Sequence, residues 1–197
     1  MLPVIATNRL DAFILYAAFF IWLLPEVISS FTDTKDKDIQ VHDRSSGVVL
    51  LICIWLGIFA SINIAFVIRS VAIPWHRTLL FAIGIFLMLA GVAFRWYSIR
   101  VLGKYFTRQV SVQPGQTVVE NGPYRWIRHP SYSGALITLL GVGLVFTNWL
   151  SLIAVMFLAF IGYSYRVWVE EKTLVNALGE PYRQYIKRTK RFIPFLY

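Results

Sequence analysis

The chain has 197 residues, 57% of them hydrophobic and 15% charged, with 15 Phe, 10 Tyr and 7 Trp; ordinary soluble domains are ~45–50% apolar and ~25% charged. Its net charge of +9 comes from basic residues that flank apolar runs instead of lining a polar face. A secreted disulfide scaffold, a disordered chain and a nucleic-acid module are all excluded. One cysteine, Cys53, leaves no intrachain disulfide and no Cys-rich metal site, and His42, His76 and His129 lack ligand spacing, so no metal is expected. Cys53 itself reads as a small buried hydrophobe inside an apolar run. The composition predicts an all-α integral membrane protein without nucleic-acid partners.

Five apolar runs follow in chain order: 12–24 (carrying on past Pro25 and Glu26), 48–68, 79–94, 134–146 and 149–165. A spanning helix needs about 17–25 residues. The second run meets this outright, and the third does so with Arg95 snorkelling and Trp96 and Tyr97 in the interfacial belt. The fourth is short unless its helix begins near Pro130, a residue tolerated in a first turn. With Thr147 and Asn148 as a tight turn, the last two runs form a helical hairpin. About five transmembrane helices are therefore expected.

Five spans put Arg9, Arg69 and Arg77 on one side and the other sixteen basic residues opposite, including those from Arg95 to Arg128 and from Arg166 onward. The positive-inside rule then predicts a multi-pass protein with its C-terminus cytoplasmic. Cleavage of the first run near Val27 or Ser29 would push the basic 95–128 stretch outside, so that run is read as retained. The 31–46 loop is the weak member, because Asp33, Asp36, Asp38 and Asp43 outnumber its bases.

The long 95–130 loop is expected to be functional, since structureless loops of that length are uncommon in compact domains. Within it, 106–112 and 117–119 flank Gln113, Pro114, Gly115 and Gln116, a pattern suited to a type II turn in a small hairpin or flap. Asn121, Gly122 and Pro123 predict a second turn. The run from Gly122 to Gly134 then gathers cations, aromatics and hydroxyls at a helix start, where free N–H groups suit an anion. Interfacial anchoring, with Ser131 as a cap, is the alternative.

Beyond the last run, Arg166 and Glu170 are four apart and share a helix face. They form either an exposed intrahelical ion pair or two walls of a polar cavity. The tail from Arg183 to Arg191, with Tyr182, Tyr185, Ile186 and Phe192, reads as an amphipathic helix held at the interface by anionic membrane lipid. Gly141 and Gly143 lie in an apolar run and read as lipid-facing helix packing.

Gly122-Pro123-Tyr124, then Arg128-His129-Pro130-Ser131-Tyr132 with Gly134, then Arg166 and Glu170-Glu171, then Gly179-Glu180-x-Tyr182-x-x-Tyr185 and Ile193-Pro194 resemble the isoprenylcysteine carboxyl methyltransferase family. The resemblance covers about 90 residues, from Gln109 to the end. It implies S-adenosylmethionine as methyl donor, S-adenosylhomocysteine as product, and a cytosolic pocket outside any Rossmann fold. Cofactor contacts carried over are Gln109, Gln116, Thr117, Val118, Val119, Tyr124, His129, Pro130, Ser131, Tyr132 and Glu170; the substrate-side arginine is Arg166, with Arg166 and Glu170 as the catalytic pair. The implied reaction is methyl-ester formation on the carboxylate of a prenylated cysteine. Rival readings are a phospholipid or small-molecule N- or O-methyltransferase of the same superfamily, an NADPH-dependent sterol reductase-like protein, and a non-enzymatic lipid-binding protein. The expected layout is one membrane-embedded domain: 1–94 with three helices, 95–130 a cytosolic loop, 131–165 the hairpin, and 166–197 a cytosolic catalytic tail.

Overall fold

The structure, a computed structural model, describes residues 1–32 and 40–193. The acidic stretch 33–39 and Pro194 lie outside the described residues. Among the described residues six α-helices follow in order: α1 (Arg9–Thr32), α2 (Ser45–Val67), α3 (Arg77–Leu102), α4 (Pro130–Val145), α5 (Trp149–Leu178) and α6 (Glu180–Arg188). The described residues also include two short strands, β1 (Gln40–Asp43) and β2 (Val110–Val112). Among the described residues, α2, α3 extended to Tyr105, and α5 are long and apolar enough to cross a membrane by length and composition. The expected multi-pass helical architecture is present, with α1 as a 24-residue helix and α4 as a 16-residue one.

At 1.5 Å per residue α4 is about 24 Å long, short of the ~30 Å hydrocarbon core. Its position explains how so short a helix is accommodated. It lies between α3 and α5, while α1 packs on the far side of α3 and α2 on α5. Large apolar side chains are exposed in stripes on the outer helices, such as Phe13, Tyr16 and Phe20 on α1, Leu51, Trp55 and Phe59 on α2, and Ile153, Phe157 and Phe160 on α5, whereas α4 exposes none. Gly141 and Gly143 are accordingly buried, not lipid-facing. Cys53 is half-buried, and a Cβ on Gly162 would meet its Cβ at 3.0 Å.

Backbone contact holds α3 against α4. A Cβ on Gly91 would stand 2.6 Å from the Gly134 carbonyl oxygen, and one on Gly141 2.5 Å from that of Gly84. Lipid tails are as apolar as Leu, so helices in a bilayer associate through such close small-residue packing. Thr138 Oγ also reaches across to the Met88 carbonyl of α3 at 3.4 Å, besides the Gly134 carbonyl of its own helix at 3.1 Å.

At one end of the bundle, Asn148 caps α5 by accepting from the N–H of Leu150 and Ser151. It also donates to the Ile68 carbonyl at 2.9 Å, and Arg77 donates to the Leu2 carbonyl and to Thr147 Oγ. The N-terminus, the 69–77 connection and the 147–148 turn thus share this end, as five passes require.

The other end departs from expectation in three ways. Gln113 to Gln116 do form the turn, with Gly115 at φ +70° and the Gln116 N–H donating to the Gln113 carbonyl at 3.1 Å, as a type II turn demands. No hairpin results, because β2 pairs antiparallel with β1 from the segment between the first two helices. Second, α5 does not stop at 165; nothing breaks the helix before Gly179, which takes φ +64°, a value few other residues tolerate. Third, the apolar side of α6 faces protein: Tyr182 and Tyr185 are buried, with Tyr185 Oη donating to the Tyr124 carbonyl at 2.6 Å.

Candidate active site

A cavity opens at this end, walled by the 105–119 segment, the approach to α4, the outer part of α5, and α6. Gln109, Gln116, Thr117, Val118, Val119, Tyr124, His129, Ser131, Tyr132, Arg166 and Glu170 all line it. Pro130 does not. It is buried as the first residue of α4, where its missing N–H is no loss and its fixed φ starts the helix.

The 122–134 run divides by direction. Arg125 stacks its guanidinium over the ring of Trp126, which is about half exposed, so this pair suits interfacial anchoring. Tyr124, His129 and Ser131 are buried and turned toward the cavity. Ser131 is not the cap; His129 holds that position, without a side-chain capping bond.

Arg166 and Glu170 share a face of α5 but do not form the simple ion pair. Tyr132 stands between them, its Oη donating to Glu170 Oε2 at 2.7 Å and accepting from Arg166 Nε at 3.4 Å. Arg166 also donates through Nη1 to Ser46 Oγ and through Nη2 to the Arg108 carbonyl, both at 2.7 Å. Its side chain is only 4% exposed, while that of Glu170 is 28% exposed. The cavity therefore presents a buried, fully charged guanidinium and a more open carboxylate, joined through one hydroxyl.

His129 lies flat on the Tyr132 ring, at 5.5 Å between centroids and 5° between planes. Its two ring nitrogens face the glutamates, Nε2 at 3.4 Å from Glu171 Oε1 and Nδ1 at 3.8 Å from Glu170 Oε2.

Glu171, read from the sequence only as part of the Glu-Glu motif, is a clamp. It accepts from Arg128 Nε at 2.8 Å and from Arg191 Nη2 at 2.9 Å. Arg128 reaches on to the carbonyls of Ile186 and Thr189. Backbone bonds between Arg128 and Lys190, His129 and Arg191, and Lys190 and Trp126 complete the seam. The tail is thereby pinned to the start of α4, and Tyr182 and Tyr185 become cavity walls. Sequence reasoning gave the tail to lipid. Three-residue spacing of Tyr182 and Tyr185 on one face of a short helix was the available signal, but it fits a membrane surface equally well. Burial pushes Tyr124, Tyr182 and Tyr185 up from the ordinary tyrosine value, with the Glu170 charge acting in the same sense on the first two. These hydroxyls stay neutral.

The fold and cavity define a multi-pass helical membrane protein with a polar, charge-lined pocket at one end of its helices. Residues 82–176, from α3 into α5, match the model of the isoprenylcysteine carboxyl methyltransferase (ICMT) family. The chain is 31% identical over 121 residues to the protein-S-isoprenylcysteine O-methyltransferase of Xenopus laevis, covering 60% of this chain and 42% of that protein. It is likewise 31% identical over 116 residues to the enzyme of that name from Saccharomyces cerevisiae, covering 58% of this chain and 48% of the other. The chain thus spans about half the length of these relatives. A solved structure of the eukaryotic intramembrane Ras methyltransferase ICMT superposes with a TM-score of 0.59 at 21% identity, covering 92% of this chain and 63% of that one. That likeness establishes the fold.

Proposed function

We propose that this protein is a methyltransferase that takes the methyl group of S-adenosylmethionine and places it on the C-terminal carboxylate of a prenylated cysteine, at the cytosolic face of the membrane. The observation that carries the reading is the Glu170–Tyr132–Arg166 arrangement. An acidic and a guanidinium group face one cavity, each suited to one charged end of the two reactants.

The residues present fit an S-adenosylmethionine-like donor. Glu170, the more exposed carboxylate, suits its ammonium, and the start of α4 with Ser131 suits its carboxylate. The neutral faces of Tyr182 and Tyr185 suit a sulfonium or an adenine ring. Bound there, the donor supplies a methyl on a positively charged sulfur, so an acceptor oxygen gains the methyl as the carbon–sulfur bond breaks.

The chain's own residues orient and exclude water. A terminal carboxylate, with a pKa of about 3.5, is already anionic at neutral pH, so no general base is required. Arg166 holds it by a planar fork, and alignment of acceptor with methyl provides the acceleration. α6 and the clamped tail close the cavity on the water side. Exposed apolar stripes on α2 and α5 leave a route for a prenyl chain from lipid.

The test uses purified protein, methyl-labelled donor and a farnesylcysteine analogue. Label released as methanol in mild alkali is the expected result, and base-stable label on a lipid amine would replace this reading with an N-methyltransferase. Glu170→Gln should weaken donor binding, and Arg166→Lys should spare it while depressing single-turnover transfer, because a point charge cannot reproduce the fork. If both variants bind and turn over like the parent, the assignment of the site is wrong.

A further inference from the structure

Arg166 is held by separate pieces of chain, and two of its contacts come from outside the matched region 82–176. Nη1 donates to Ser46 Oγ at 2.7 Å and lies 3.9 Å from Asp43 Oδ2. Ser46 is fully buried, and a Cβ built on Gly47 would meet Arg166 Nη1 at 3.6 Å. The first turn of α2 is therefore a floor beneath the guanidinium.

That contact has an electrostatic penalty, because a helix N-terminus carries roughly half a positive charge and here faces a permanent cation. Asp43 answers both. Its carboxylate accepts from the N–H of Ser45 at 3.1 Å and of Ser46 at 2.9 Å, and from Ser45 Oγ at 2.6 Å, while Oδ2 faces Nη1. Burial alone would raise this carboxyl, but the hydrogen bonds from Ser45 and Ser46 outweigh it and hold it at about 2. β1, which ends at Asp43, is tied to β2 and so to Val110 and Ser111 of the cavity wall.

We infer that Ser46 and Asp43 are positioning residues, which fix the plane of the Arg166 guanidinium so that its cavity-facing edge meets an acceptor carboxylate in one orientation. The inference rests on Arg166 as the carboxylate-facing residue proposed above. An arginine has four side-chain torsions, and a long side chain left free loses rotamer entropy when it binds. Ser46 and Asp43 remove that freedom in advance, since a misplacement of about 1 Å can cost on the order of 100-fold in rate.

The test compares a prenylcysteine free acid with its carboxamide as competing ligands in the parent, Ser46→Ala, Ser46→Thr and Asp43→Asn. Ser46→Ala should lower both the acid-over-amide preference and the single-turnover rate by about tenfold or more, with donor affinity held within about twofold. Ser46→Thr restores the hydroxyl and should recover the preference. Asp43→Asn keeps an acceptor for α2 and removes the charge, so it should act in the same direction and also serves if Ser46→Ala does not fold. Unchanged preference and rate in Ser46→Ala and Asp43→Asn would overturn the inference. So would donor affinity falling in step with them, which marks a wall that only maintains cavity shape. A parent that shows no preference for the acid refutes the reading of Arg166 instead. In that event, phenylglyoxal labelling of Arg166, read by mass spectrometry, still decides whether Ser46 holds the guanidinium: faster labelling in Ser46→Ala supports it, and an equal rate refutes it.

Discussion

Replacing Glu171 with glutamine should release the tail and open the cavity without unfolding the bundle. Glu171 sits with its side chain 10% exposed, between Arg128 at 7% and Arg191 at 36%. Glutamine retains one carbonyl oxygen, so it can still accept from one guanidinium but carries no charge to pair with either. Breaking a buried ion pair costs ~3–5 kcal/mol. The half of the clamp that runs to Arg191 counts for less, because water reaches that guanidinium. A net cost of about 3 kcal/mol, at the lower bound, corresponds to roughly 100-fold in the equilibrium between docked and released tail. The amides that report on this are those of Arg128, His129 and Lys190, which make the seam between tail and loop. Amide exchange read by mass spectrometry in detergent should accelerate by about that factor over 126–129 and 186–193, and hardly at all within α5. Equal exchange in parent and variant over both segments would refute the clamp.

Gly141→Ala should destabilise the bundle by about 1–3 kcal/mol through overpacking, because its Cβ would lie 2.5 Å from the Gly84 carbonyl oxygen; a thermal midpoint equal to or above the parent's would contradict the close α3–α4 contact. Tyr124, Tyr182 and Tyr185 have folded-state pKa values raised by burial, so their contribution to stability is intact below about pH 10 and is lost as the pH climbs past it. A spectrophotometric titration should therefore show these three ionising late and together with helix loss; a single population of all 10 tyrosines titrating near 10 would exclude it. In sealed inside-out vesicles, a protease should cut the tail after Arg191, and access confined to right-side-out vesicles would reverse the proposed orientation.

The covered and exposed faces were legible to different degrees for a physical reason. Hydropathy reports whether a segment avoids water, and it yielded the apolar runs, the start of the fourth helix at Pro130 and the turn at Thr147 and Asn148. It cannot tell lipid from protein as the apolar neighbour. For this reason α4 and its Gly141 and Gly143 read as lipid-facing, and Tyr182 and Tyr185 read as a membrane-surface helix, when each is buried against other parts of the chain. Helix ends follow the same logic: α5 continues to Leu178 because no breaker intervenes, and where a membrane would end has no bearing on backbone geometry.

By itself the sequence determined the class of protein, the start of the fourth helix at Pro130 and the shared face of Arg166 and Glu170, because all three depend on composition or on local spacing. Only the tertiary structure decided what those charges touch. Tyr132 lies 38 residues from the Glu170 it bonds, Ser46 120 from Arg166, and Arg128 43 from Glu171. Separations of that size carry no local periodicity. β1 met β2, α2 came to lie under Arg166 and the tail was clamped over the cavity because the packing of α3, α4 and α5 brought their ends to one place, and charge and hydrogen-bond complementarity then chose the partners.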